Sequence, residues 1–215
     1  MSDRFYATVR ALSRPVLATW FRLESQGAAN IPATGPCLVV ANHSSYLDPA
    51  VLGRACPRKI HFLIARTVFV CPGLQWFFRR MDAVPVSFDG SDAAALRVAM
   101  RLLSAGRVVG IFPEGGRSKE GELAGARVGA ALLASHSRCP VVPVGIRGAR
   151  EALPVGAMLP RPRRIEVAFG APFVVVREGG RGQRRRLEEV GTRMMREVAD
   201  LMVGHESPPM LQAEP

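Results

Sequence analysis

His43 and Asp48 are the two residues of this chain best suited to moving a proton. An imidazole held in one tautomer takes a proton near neutral pH. A carboxylate bonded to its other ring nitrogen holds that tautomer and stabilises the imidazolium that forms. The two lie five residues apart in Asn42-His43-Ser44-Ser45-Tyr46-Leu47-Asp48-Pro49. On a regular helix that separation turns the side chains about 140° apart. They meet only if His43 sits in a turn and Asp48 in the first turn of the helix that follows. Ser44 or Ser45 could cap that helix, and Pro49 suits its first turn. A lone His after a strand is more often a capping or surface residue, so the pair alone does not define a catalyst.

A second cluster is Pro113-Glu114-Gly115-Gly116-Arg117-Ser118. Its two glycines allow close backbone approach and exposed N–H groups, which suits an anion. Arg117 could grip phosphate or carboxylate through its planar fork. Glu114 could bind a hydroxyl or hold a basic neighbour. Phosphate loops of the GxxxxGK[ST] type, GxSxG elbows, HExxH and GxGxxG are all absent. Ser44 and Ser45 are poor nucleophile candidates, because residues adjacent to His43 after a strand point away from it. Cys37, Cys56, Cys71 and Cys139 form no CxxC pair and have no His at ligand spacing. The expectation is no metal site, and free thiols in a reducing compartment.

The elements that must position these residues follow from hydrophobic pattern. Residues 37–41 and 108–112 are continuous apolar runs of the buried-strand type. They deliver His43 and Glu114 to the carboxyl ends of strands, where open α/β sheets hold their sites. Residues 60–65, 141–146 and 164–169 read as further strands, and 84–86 as a short edge strand. Residues 74–81 read as a short helix. Another starts at Ser91 or Asp92, turns Leu96, Ala99, Leu102 and Leu103 inward, and ends at Gly106. Residues 125–137 read as a small-residue helix and 187–203 as a closing amphipathic one. The alternation predicts an α/β fold, a single domain with a mainly parallel or mixed sheet flanked by helices.

An N-terminal amphipathic helical appendage precedes that domain. Over residues 4–25, Phe5, Val9, Leu12, Val16, Trp20 and Leu23 fall on one face, with Arg4, Arg10, Arg14 and Arg22 among them. Pro15 is expected to kink or divide this helix. A basic helix with Trp and Phe is an interfacial anchor, or it packs on the domain, and both can hold at different faces. The expected boundaries are 1–25 for the helical segment, 26–203 for the domain and 204–215 for a flexible tail. No signal peptide and no stretch of about 20 apolar residues is visible, so a membrane, if met, is met at its surface. Net charge is +11, carried by Arg with only Lys59 and Lys119 as lysines. That excess points to anionic partners: nucleic acid, an anionic bilayer, or phosphate- and carboxylate-bearing substrates.

The chain resembles the lysophospholipid and glycerol-phosphate acyltransferases, typified by bacterial 1-acyl-sn-glycerol-3-phosphate acyltransferase. Residues 42–48 match the family's NHxxxxD motif. Residues 112–118 match FPEGTRS except at Gly116, and 141–146 match its apolar-Pro block. The motifs occur in the family's order, and the resemblance covers roughly residues 24–176. It implies direct transfer of a fatty acyl group from acyl-CoA or acyl-carrier protein to the free hydroxyl of a lysophospholipid, most simply 1-acylglycerol-3-phosphate giving phosphatidic acid. His43 would deprotonate the hydroxyl and Asp48 would orient His43. Glu114, Gly115, Arg117 and Ser118 would line the acceptor site, with Arg117 on its phosphate, and Pro143 would shape the sheet beside it. The resemblance implies no bound cofactor or metal. It implies a peripheral or monotopic place on the cytoplasmic face of the cell membrane.

Two departures stand out. The family pattern G-x-x-P-V-x-R aligns with residues 82–88, where Asp82 replaces Gly and Phe88 replaces the phosphate-binding Arg. Either Arg79, Arg80 or Arg147 substitutes, or the acceptor is a different lysolipid, such as a lyso-aminolipid. Gly116 for Thr removes a hydroxyl. The competing non-enzyme reading is a basic membrane- or RNA-binding module. With 2 Tyr, 2 Trp and no RNP-like segment, nucleic acid is not an expected partner.

Overall fold

The computed structural model describes residues 2–86, 93–116, 125–126, 128–176 and 182–203. The apolar runs form the strands that their pattern predicts: β2 (Cys37–Ala41), β3 (Ile60–Ala65), β5 (Val108–Ile111) and β6 (Val141–Arg147). Shorter strands are β1 (Glu24–Gln26), β4 (Val84–Val86) and β7 (Glu166–Phe169). Together they make a seven-stranded sheet in the order β1-β7-β6-β2-β5-β3-β4. The pairs are parallel except β6 with β7, which is antiparallel, so the sheet is mixed.

Helices cover both faces, which is why the central strands are apolar at every position rather than alternating. On one face lie α1 (Ser2–Thr19), α2 (Asp48–Ala55) and α7 (Ala149–Ala152), over a core of Leu17, Phe21, Val39, Leu52, Ile60 and Val144. On the other lie α5 (Ala93–Ser104), α6 (Val128–Ser137) and α8 (Gln183–Val203), over Leu38, Val40, Leu103, Leu133 and Met194. Short helices α3 (Arg66–Phe69) and α4 (Gln75–Arg80) link β3 to β4. The helix expected over 74–81 is α4, and Val84–Val86 is the edge strand expected. In α5, Ala99 and Leu103 are buried and Leu96 and Leu102 pack against the same core. Ser91 and Asp92 lie outside the described residues, as does the tail 204–215.

The structure corrects several element boundaries. The N-terminal helix stops at Thr19 rather than continuing to 25. Residues 24–26 form β1, an edge strand paired with β7. The helix runs through Pro15 without dividing. The expected apolar stripe is split. Its first half is covered: Phe5 packs edge-on against Trp76 and Phe77 of α4, with ring centroids 5.4 and 6.1 Å away. Its second half is not, and Leu12, Val16 and Trp20 are 72, 55 and 49% exposed. The side chains buried instead are Tyr6, Leu17 and Phe21. Tyr6 donates to the Gly53 carbonyl at 3.1 Å and fixes α1 against α2. The strand expected at 164–169 begins at Glu166, α6 begins at Val128 rather than 125, and α8 begins at Gln183, a turn before Leu187.

Candidate active site

β2 and β5 are neighbours in register, Val40 opposite Ile111, so the chain leaves both strands side by side at their carboxyl ends. His43 and Glu114 are therefore brought together from positions 71 residues apart: the His43 backbone N–H donates to Glu114 Oε1 at 2.9 Å. Glu114 is buried, and its partner is the backbone of the histidine rather than its ring. Gly115 makes this possible. Its φ of +71° closes the turn in which its N–H donates to the Phe112 carbonyl at 3.1 Å.

The turn-to-helix junction that the five-residue spacing demands is present. His43 lies in the turn and Asp48 is the first residue of α2, with Leu47 at the N-cap position and Pro49 in the first turn. His43 Nδ1 and Asp48 Oδ2 are 2.9 Å apart. The same oxygen accepts the Ser44 and Ser45 backbone N–H groups, each at 2.7 Å. Three donors thus converge on one oxygen of a side chain with no solvent exposure, while Oδ1 has no partner among the described residues. Ser44 and Ser45 do not cap α2 through their hydroxyls. Ser45 Oγ accepts the Leu47 N–H and donates to the Leu153 carbonyl at 2.9 Å, tying the turn to the connection after β6.

The imidazole is held from a third direction. Phe112 stacks on it, ring centroids 4.2 Å apart and planes 19° from parallel, and Phe62 stacks behind Phe112 at 6.0 Å. A Cβ on Gly110 would come within 2.9 Å of Phe62, so glycine in β5 leaves room for that ring. Asn42 anchors the start of the turn by bonding both backbone groups of Ile146, at 2.9 and 2.8 Å. With Nδ1 engaged, the 19%-exposed imidazole presents Nε2, which has no partner among the described residues. An ionised Asp48 puts the proton on Nδ1 and the lone pair on Nε2, the arrangement a general base needs. Asn42 and Phe112 belong to the matched motifs, but the sequence alone assigns them no role. An aromatic residue at the strand end, directly before Pro-Glu-Gly, was the available signal.

The other expected positions separate. Pro143 is buried opposite Val40 in β6. Its carbonyl accepts the Gly170 N–H at 2.8 Å, so the missing proline N–H faces the place where β7 has just ended. By strand alternation its ring lies on the sheet face away from Val39 and Val144, and so away from α2. Arg117, Ser118 and Phe88 lie outside the described residues. Asp82, standing where the family pattern has Gly, keeps a left-handed φ of +54°. Asp tolerates that conformation better than most residues. Of the arginines proposed to replace Phe88's missing charge, Arg147 pairs with Glu166 and Arg80 stacks on Trp76 at 5.3 Å. Arg79 lines an open cavity with His61, Arg66 and Arg107.

The cysteines are free. Burial pushes the Cys37 thiol up to about 12 and raises those of Cys56 and Cys139, so these three are protonated and unreactive at neutral pH.

A model of the Acyltransferase family matches residues 22–147. A chloroplastic 1-acyl-sn-glycerol-3-phosphate acyltransferase of Brassica napus is 33% identical over 141 residues, 64% of this chain and 41% of its own. The 1-acyl-sn-glycerol-3-phosphate acyltransferase of Bacillus subtilis is 28% identical over 120 residues, 55% of this chain and 59% of its own. The chain thus spans well under two thirds of the length of either relative. The crystal structure of the 1-acyl-sn-glycerophosphate acyltransferase from Thermotoga maritima superposes with a TM-score of 0.75, covering 96% of this chain and 83% of that one at 23% identity. At that identity the likeness speaks for the fold.

Proposed function

The chain belongs to the acyltransferase family, and from that premise we propose that it transfers a fatty acyl group from a thioester donor to the hydroxyl of a lysophospholipid at a membrane surface. The observation that carries this reading is the His43–Asp48 contact of 2.9 Å in a turn at a strand end, which engages Nδ1 of a 19%-exposed imidazole. His43 Nε2 takes the acceptor's hydroxyl proton as its oxygen bonds to the thioester carbonyl carbon. The tetrahedral intermediate collapses, the carbon–sulfur bond breaks, and the imidazolium returns the proton to the leaving thiolate. Asp48 keeps the ring in the reactive tautomer, and Phe112 offers a π face to the imidazolium. Glu114 and Gly115 hold the acceptor-side turn, with Arg117 on the acceptor's phosphate and Ser118 beside it. Pro143 shapes the sheet beneath. The donor is acyl-CoA or acyl-carrier protein, and the acceptor is 1-acylglycerol-3-phosphate.

A second acceptor reading has its own support. Arg80 and Arg147 are engaged with Trp76 and Glu166, which leaves them poor substitutes for the arginine that Phe88 replaces. A lysolipid without a terminal phosphate, such as a lyso-aminolipid, fits that loss. Membrane contact is supported by the uncovered Leu12, Val16 and Trp20 on α1, with Arg14 and Arg22 exposed beside them. Among the described residues, no helix is long and apolar enough to cross a bilayer.

The test is thiol release from acyl-CoA with a panel of lysolipids. Lysophosphatidate is expected to support turnover, and His43→Ala to lower it by about 10³-fold. Undiminished turnover in that variant would remove His43 as the base. Strong preference for an acceptor without a phosphate monoester would move the assignment to the second reading.

A further inference from the structure

The connection from β6 to β7 carries an exposed apolar lobe that the reaction at His43 does not use. After α7 the chain runs out through Leu153 and returns at Arg161, whose N–H donates to the Ala152 carbonyl at 2.7 Å. Residues 153–160 are thereby pinched at the neck into a compact lobe. A turn inside it bonds the Ala157 N–H to the Pro154 carbonyl at 3.0 Å, with Gly156 at a φ of +90°. Its tip is apolar and uncovered: Met158 is 94% exposed and Leu159 80%. Two such side chains next to each other on a surface mark a contact rather than a fold requirement.

Three observations fix what the tip meets. First, β6 and β7 are antiparallel, Arg147 opposite Glu166, so the lobe starts and ends at the edge of the sheet where β2 releases His43. Second, the lobe is joined to both neighbouring elements of that edge. Its first residue, Leu153, accepts the Ser45 hydroxyl of the catalytic turn. Just beyond its return, Ile165 donates to the Phe21 carbonyl at 2.9 Å, next to exposed Trp20. Third, residues 152–165 contain Arg161, Arg163 and Arg164 and no acidic residue; all three arginines are exposed, and Arg164 is paired with Glu24 and Glu166, so the charge that can meet an anion is that of Arg161 and Arg163. An apolar tip with arginines at its base matches a bilayer with anionic headgroups: the tip enters the acyl region and the guanidinium groups meet phosphates.

We propose that the 153–160 lobe is a second membrane-contact element, which enters an anionic lipid surface through Met158 and Leu159 and, with the uncovered face of α1, seats the rim around His43 on the bilayer. The proposal rests on the reading of the protein as a membrane-surface acyltransferase. In this geometry a lysolipid moves from the leaflet to His43 without crossing bulk water, because both contact elements stand at the edge where the imidazole opens.

The experiment is flotation of the full chain with vesicles of phosphatidylglycerol and phosphatidylcholine, alongside turnover of a short-chain lysophosphatidate present as monomers. Met158→Ser with Leu159→Ser is expected to weaken vesicle partitioning on the order of 100-fold, roughly tenfold per buried side chain, with monomer turnover unchanged. Arg161→Gln with Arg163→Gln is expected to cost about fivefold per arginine on phosphatidylglycerol vesicles and nothing on pure phosphatidylcholine. Wild-type flotation by the Met158/Leu159 variant would overturn the lobe proposal and leave membrane contact through α1 standing. Loss of monomer turnover in that variant would also overturn it, since the lobe would then serve the site itself. Failure of the unmodified protein to float with any vesicle would overturn the membrane reading altogether, while monomer turnover would still report on the acyl-transfer reading.

Discussion

The turn that carries His43 and the lobe at 153–160 share one edge of the sheet and one hydrogen bond, yet they are built on opposite principles. In the turn the positions are set by directional contacts: one Asp48 oxygen collects three donors, Glu114 holds the His43 backbone, and Phe112 backs the ring. In the lobe the largest side chains touch solvent, and the backbone is fixed only at the neck and one internal turn. The role proposed for the turn, proton transfer, needs atoms placed to a few tenths of an ångström, and directional bonds hold its residues in that way. The role proposed for the lobe, contact with a fluid lipid surface, needs area and charge, and for that its residues need only be uncovered.

Disruptions of the two regions should accordingly fall on different measurements. The largest effect belongs to the turn. Asp48→Asn keeps the volume and one acceptor oxygen but lets the amide favour the wrong imidazole tautomer. Turnover is expected to fall by roughly 10²–10⁴-fold with vesicle flotation unchanged. A parallel loss of flotation would show that the two regions are coupled. Next comes α1. Leu12→Ser, Val16→Ser and Trp20→Ser together are expected to reduce flotation by about 10- to 100-fold and leave turnover of monomeric acceptor intact. If monomer turnover fell instead, α1 would be part of the catalytic support and the division would fail.

The smallest effect should come from a buried histidine in neither region. His61 is 6% exposed at the start of β3, its Nδ1 3.3 Å from the Asp82 carbonyl. Burial lowers its pKa, and the Lys59 charge adds to that. A histidine whose folded pKa is depressed binds fewer protons in the native state. Stability is therefore lost as pH falls through the ordinary histidine range near 6.5. His61→Asn should shrink the drop in Tm between pH 7.5 and pH 5.5 by roughly 2 °C, without changing turnover or flotation at pH 7.5. An unchanged drop would mean that His61 carries no share of the acid sensitivity.

How far the sequence reveals these regions follows the same division. Strands buried on both faces announce themselves as apolar runs, so β2, β3, β5 and β6 are readable, and with them the strand ends that carry His43 and Glu114. The five-residue spacing of His43 and Asp48 is itself informative, because only one local geometry lets them touch. β1 is not readable. Glu-Ser-Gln has neither apolar character nor alternation, and its pairing with β7 is decided 142 residues further along, Glu24 opposite Glu166. The buried face of α1 is not readable, because two apolar stripes lie side by side on that helix and only packing against α2 and α4 chooses between them. Glu114 is readable as a site residue but not as an acceptor for the His43 N–H, since that contact depends on the register of β2 against β5. The lobe reads as an ordinary proline- and glycine-containing loop. Its location comes from the antiparallel return of β7, which no local pattern encodes.

That antiparallel return has a consequence for how the protein can be altered. A parallel β7 would require a crossover across a face of the sheet, and its length would be dictated by the span. Because the chain instead turns back at one edge and is clipped by the Arg161–Ala152 bond, the stretch between is an exchangeable cassette. Its length and composition can change at small loop-closure cost while strand register and the His43 turn stay as they are. If the lobe meets lipid as proposed, grafted lobes of different charge or apolar length would direct one scaffold to different lipid surfaces.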